Sequence, residues 1–210
     1  MKEDLLKHIL ESRKRLASYP TLPEMGITQD LLETVYEWAN NMASYGELAS
    51  YIPELTKVDA SKSAIVIGDL NMNTLAVGNG VDVKVSIQSV IKPFLYIYAL
   101  EKGVPASQIS FIEATALKFN TDAVMQPDQR KNLPGHPLNN AGAISSAGSI
   151  ADFEDFLNFM RMLTDNDRLE VMVNVFESEM QTNSNNRAIA RRLAETGRFP
   201  DQNQSDKALE

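Results

Sequence analysis

A chain of 210 residues with 43% hydrophobic content can bury a substantial core in one domain or at most two. It contains no cysteine, which excludes disulfides, thiol catalysis and zinc–thiolate sites, and leaves a reducing cytoplasm as the expected location. The net charge of −8 argues against nucleic acid as a partner, because phosphate binding needs a basic surface.

No stretch of eighteen or more apolar residues occurs, so no membrane span is expected. Residues 1–20 alternate acids and bases without an apolar h-region and do not read as a secretory signal. His8 and His136 are far apart and lack a second ligand at metal spacing, so no metal site and no cofactor are expected.

In chain order, Leu5, Leu6, Ile9, Leu10 and Leu16 predict a first amphipathic helix, and Leu31, Leu32, Val35, Trp38 and Met42 a second. Pro20, Pro23 and Gly26 separate them, and Thr28 suits the N-cap of the second. Ala64–Ile67 and Thr74–Val77 predict a hairpin, and the alternating Val81–Val85 a third strand. A helix over Ser89–Lys102 follows, closed by Gly103. The remainder reads as helical, interrupted by a polar, Pro-rich loop at 121–137. The organisation is N-terminal helices at 1–44, strands and one helix at 45–103, a mainly helical part at 104–199 and a polar tail at 200–210. Two or three strands make a marginal sheet: either helices cover its edge, or the sheet is incomplete.

Ser89-Val90-Ile91-Lys92 is the only Ser-x-x-Lys in the sequence. On a helix the two side chains share a face, and a serine in the first turn lies near backbone N–H groups able to stabilise an oxyanion. The apolar neighbours Val90, Ile91, Phe94 and Leu95 supply the burial that would hold the amine neutral and basic. The spacing alone is weak, since this composition yields on the order of one such pair by chance. Taken by itself, Ser89 reads as a helix N-cap and Lys92 as a surface residue.

Four motifs in order change that weighting. Ser86-Ile87-Gln88-Ser89-Val90-Ile91-Lys92-Pro93 resembles the active-site segment of the serine-dependent glutaminases. Tyr51-Ile52-Pro53-Glu54-Leu55, Asn140-Ala141-Gly142-Ala143-Ile144, and Ser178-Glu179 followed by Asn186-Arg187-Ala188-Ile189-Ala190 are similar to further motifs of that family, and the resemblance runs from Tyr45 to Phe199. It implies an α/β (α+β) fold, β-lactamase/transpeptidase-like, with an antiparallel sheet and a helical subdomain. It further implies hydrolysis of L-glutamine to L-glutamate and ammonia, without a cofactor, in a homo-oligomer. The matching positions give Ser89 as nucleophile, Lys92 as base, Tyr51 as proton relay, and Gln88, Asn140, Glu179 and Asn186 as substrate-binding residues. The chemistry agrees, since Glu179 can accept from an ammonium while the Asn amides donate to a carboxylate. Seven residues are close to two helical turns, so Glu179 and Asn186 would share a face if that segment is one helix. Each position also has a purely structural reading: Tyr51 closing a turn, Asn140 capping a helix, the small run 141–149 allowing helices to pack closely, and Glu179 a solvated acid.

The family's pattern continues past the position matching Glu210, where it supplies two tyrosines, a second oxyanion N–H and further strands. The expectation is therefore a shortened glutaminase with an incomplete sheet. Asn183-Ser184-Asn185 and Asn139 are local departures from the family pattern. The alternative is a catalytically inactive relative that binds glutamine or acts as an interaction module. Another Ser-x-x-Lys hydrolase class is a distant third, since no Lys-Thr-Gly-like strand is present.

Overall fold

A computed structural model describes residues 11–12, 19–110, 134–195, 197 and 208–209. The chain divides into two compact units, Met1–Val85 and Ser86–Glu210. The first predicted helix, apart from residues 11–12, and positions 121–133 of the polar loop lie outside the described residues.

In the first unit, helix α1 spans Gln29–Met42 and starts where expected, with the Thr28 hydroxyl accepting from the backbone N–H of Leu31 at 3.2 Å. Its inward face carries the buried Leu32, while Tyr36 meets Ser63 Oγ at 3.0 Å and Gln29 donates to the Ala76 carbonyl at 3.2 Å. Those contacts dock α1 on an antiparallel hairpin, β1 (Ile65–Gly68) and β2 (Thr74–Val77), with Ile65 opposite Val77 and Gly68 opposite Thr74. Asp69 organises the connecting turn. Its carboxylate accepts from the backbone N–H groups of Asn71 and Asn73 at 2.8 and 3.0 Å, and from the Asn73 amide at 2.8 Å. These bonds, the Asn73 side chain foremost, hold the Asp69 carboxyl below its ordinary value.

The third predicted strand does not form. Gly80 donates to Ser63 O and Val83 donates back to Gly80 O, both at 3.0 Å, so Val81–Val85 leaves the hairpin through a turn, with Val85 77% exposed. Alternation marks a residue run suited to a sheet but cannot supply the neighbouring edge it needs. The sheet accordingly has two strands among the described residues.

In the second unit, a single 3₁₀ turn, Gln88–Ile91, leads into α2 (Lys92–Glu101), with Pro93 in its first turn and Gly103 (φ 83°) just past its end. The short helix α3 (Ala106–Ile109) follows, then α4 (Asn140–Ala147), α5 (Phe153–Thr164), α6 (Val173–Thr182) and α7 (Ser184–Glu195). Two apolar clusters set their positions. Tyr98 of α2 packs edge-on to Phe156 and Phe159 of α5 at 5.1 and 5.3 Å, joined by Met160, Phe94 and Leu95. Ala141 and Ile144 of α4 meet Ile189, Ala190 and Leu193 of α7. Full burial of each large aliphatic side chain here contributes roughly 1.5–3 kcal/mol.

The small residues of α4 are a steric requirement. A Cβ on Gly142 would stand 2.1 Å from the His136 carbonyl oxygen and 2.6 Å from Pro137 Cα. Asn139, and not Asn140, caps this helix, its side-chain oxygen accepting from Gly142 N–H at 2.7 Å. The cap reading considered for Asn140 is thereby corrected, and Asn140 becomes the first residue of α4, with its amide available elsewhere. Gly142→Ala should lower stability by about 2 kcal/mol, because the methyl group meets backbone that cannot yield without moving 136–137; urea unfolding of the two proteins measures this.

Candidate active site

The site begins with a backbone irregularity. Gln88 has φ 47°, a left-handed conformation that a non-glycine residue adopts at some cost. It turns the chain into the 3₁₀ segment that carries Ser89. The Lys92 backbone N–H donates to the Ser89 carbonyl, closing that turn. Ser89 therefore stands in a 3₁₀ turn and Lys92 at the start of α2, in place of the single α-helix expected from the sequence. Ser89 is exposed, whereas Lys92 is half-buried. Gln88 donates to Ser86 Oγ at 2.8 Å.

Burial lowers the Lys92 pKa below the ordinary lysine value. Its Nζ donates to Asn140 Oδ1 at 2.7 Å, and the Asn140 Nδ2 donates to Asn186 Oδ1 at 3.3 Å. Each bond fixes the orientation of the next amide: Lys92 donates in this contact, so Asn140 presents oxygen to it and nitrogen to Asn186. Asn186 then accepts through its oxygen and keeps its own NH₂ for another acceptor. Lys92 opens α2, Asn140 opens α4 and Asn186 lies in the first turn of α7, so three helix N-termini converge on this chain of groups. Their partial positive charges favour an anion there and disfavour a charged amine.

Glu179 lies on α6 and is half-buried, and burial raises its carboxyl pKa above the ordinary value. Among the described residues its carboxylate has no hydrogen-bond or ion-pair partner. The expected shared face with Asn186 does not exist. The chain leaves the helix at Asn183 (φ −83°, ψ 33°), and Glu179 and Asn186 stand on successive helices. Seven-residue spacing overlooked that break, and the signal available was the polar run Asn183-Ser184-Asn185-Asn186. Tyr51 belongs to the first unit, where Ile52 separates it from the 3₁₀ segment Pro53–Lys57. Among the described residues no cluster of three His, Asp or Glu side chains could hold a metal ion.

The glutaminase family model matches residues 46–210. The chain belongs to the glutaminase family. It is 32% identical over 177 residues to the glutaminase of Clostridium tetani, covering 80% of this chain and 57% of that protein. A glutaminase of Clostridium botulinum (strain Hall) is 32% identical over 175 residues, again with 80% and 57% covered. The chain thus spans a little over half the length of these glutaminases. Among solved structures, the probable glutaminase from Bacillus subtilis complexed with 6-diazo-5-oxo-L-norleucine superposes with a TM-score of 0.66 at 23% identity, covering 86% of this chain and 56% of that one. The structure of Mglu in its glutamate form gives 0.69 at 23% identity, with 86% and 42% covered. The fold is therefore the β-lactamase-like α+β fold of the glutaminases, represented here by its helices and a two-stranded antiparallel sheet.

The unpaired acid has a thermodynamic consequence. A carboxyl whose folded pKa is raised binds more protons in the native than in the unfolded chain between its ordinary and its raised value. Stability therefore falls as pH rises through that window, and the cost persists above it. Glu179→Gln should leave urea stability at pH 7 equal to or above that of the unmodified protein. A clear loss would reveal a stabilising partner for the carboxylate.

Proposed function

We propose that the chain carries the nucleophile–base half of a glutaminase that converts L-glutamine and water to L-glutamate and ammonia through a Ser89 ester. The observation that carries this reading is a half-buried amine with a lowered pKa, held by Asn140, one 3₁₀ turn from an exposed serine. Ser89 Oγ attacks the side-chain carboxamide carbon while its proton passes to Lys92 Nζ. Collapse of the tetrahedral adduct breaks the C–N bond, and the same proton leaves on ammonia. Water then attacks the ester, giving its proton to Lys92, and glutamate departs as Ser89 is reprotonated. Tyr51 is the proposed relay for these protons.

The substrate's ends have chemical counterparts. Glu179 is a carboxylate lacking a cation among the described residues, and an α-ammonium would supply one. The NH₂ of Asn186, freed by the orientation of the amide chain, donates to the α-carboxylate at the positive helix ends. Gln88 is proposed beside them through its position next to the nucleophile. L-Glutamine as ligand, a homo-oligomeric assembly and a cytoplasmic location belong to the same proposal, the last supported by the cysteine-free sequence.

A second reading, a glutamine-binding or interaction module without turnover, is favoured by the two-stranded sheet, which is small for an independent scaffold. Another Bacillus subtilis glutaminase structure is a covalent complex with 5-oxo-L-norleucine, formed by reaction of the protein with 6-diazo-5-oxo-L-norleucine. That reagent separates the two readings for this chain. Mass spectrometry should find one adduct on Ser89, absent in Ser89→Ala, accompanied by ammonia release from glutamine. An adduct without ammonia supports the module; neither signal removes both readings of Ser89.

The pH dependence follows from the base. Lys92 acts as the neutral amine, so labelling should fall as pH drops through its lowered pKa. Lys92→Ala should slow labelling by roughly 10²–10⁴-fold and abolish that acid limb. A rate that stays independent of Lys92 would assign the base elsewhere.

A further inference from the structure

The break between α6 and α7 separates the proposed ammonium acceptor from the proposed carboxylate donor, so whatever fixes that break fixes the distance between them. One side chain is committed to it. Arg187 Nε donates to Asn183 Oδ1 at 2.6 Å, Arg187 Nη2 donates to the Met180 carbonyl at 3.0 Å, and its backbone N–H donates to the Asn183 carbonyl at 3.0 Å. Asn183 is only 8% exposed, and its remaining amide hydrogens face Met180 Sδ at 3.5 Å. Met180 O is one of the last carbonyls of α6, left without an intrahelical partner because the helix stops at Thr182. A guanidinium there satisfies the carbonyl, complements the negative helix end and grips both sides of the turn with one rigid fork.

The flanking residues make this grip consequential. Met180 follows Glu179 directly, and Arg187 follows Asn186 directly, so the two ends of the clamp are each one peptide bond from a proposed ligand contact. Asn186 turns toward Asn140 of α4 while Arg187 reaches back to α6. Rotation of α7 about the break would slide Asn186 off Asn140 and change its span to Glu179 together.

We infer that Arg187 is a positioning residue that locks the α6–α7 break, thereby setting the span between Glu179 and Asn186 that receives the two charged ends of an amino-acid ligand. The span's use rests on the glutaminase reading; the lock itself does not. A lysine cannot reproduce the fork, whereas Asn183→Asp retains the oxygen that accepts from Nε and strengthens it with charge.

The test compares Arg187→Ala, Arg187→Lys and Asn183→Asp in the full chain, with two readouts. In the first, side-chain amide NMR signals of Asn140 and Asn186 should shift in both Arg187 variants and stay near their original positions in Asn183→Asp. In the second, the 6-diazo-5-oxo-L-norleucine concentration for half-maximal labelling should rise about tenfold in Arg187→Lys, with the limiting rate within about threefold. A role confined to stability would lower the folded fraction and leave that concentration unchanged. If Arg187→Ala fails to fold, Arg187→Lys carries the comparison. Unchanged amide signals, or shifted signals with an unchanged half-maximal concentration, overturn the inference. Shifted signals in a chain that the reagent never labels remove the glutaminase reading and leave the lock standing.

Discussion

The second unit is organised around one hydrogen-bond donor. Lys92 presents hydrogens and no lone pair in its charged form, and its partner in the structure is the oxygen of Asn140. That choice propagates: the nitrogen of Asn140 must face Asn186, and the oxygen of Asn186 must face Asn140. A buried amine thus orders two amides on two further helices. Packing makes the order affordable, since Ala141 and Gly142 bring α4 close to its neighbours and Ile189, Ala190 and Leu193 bring α7 onto α4.

Electrostatics and packing point the same way at this junction. Burial and three converging helix N-termini both penalise positive charge on Lys92, and the helix ends favour an anion near Asn186. Glu179 is the counterweight, a half-buried carboxyl whose charged form its surroundings disfavour. Both groups are therefore less stable in their charged form than they would be in water.

Much of this was legible beforehand. Thr28 announced α1, the runs at 64–67 and 74–77 announced the hairpin, and Gly103 announced the end of α2, because each is a local signal with a local cause. The four motifs carry the resemblance to the glutaminase family, to which the chain belongs. Three features were not legible. Val81–Val85 has the pattern of a strand, but a strand also needs a neighbour, which alternation does not report. Asn140 suits a helix N-cap by residue type, but the cap is Asn139, whose side-chain oxygen accepts from the Gly142 N–H. The break at Asn183 is bridged by contacts of Arg187 with the preceding turn, which lie beyond what a seven-residue period can express.

The direction imposed on the Lys92–Asn140–Asn186 chain makes the junction sensitive to a change of one atom. Hydrolytic deamidation of Asn140 would replace nitrogen by oxygen with almost no change in shape. Two oxygens would then confront each other across the Asn186 contact, and a new negative charge would sit against Lys92, stabilising its protonated form. Ageing of a single amide would thus raise the Lys92 pKa and undo the order of the amide chain.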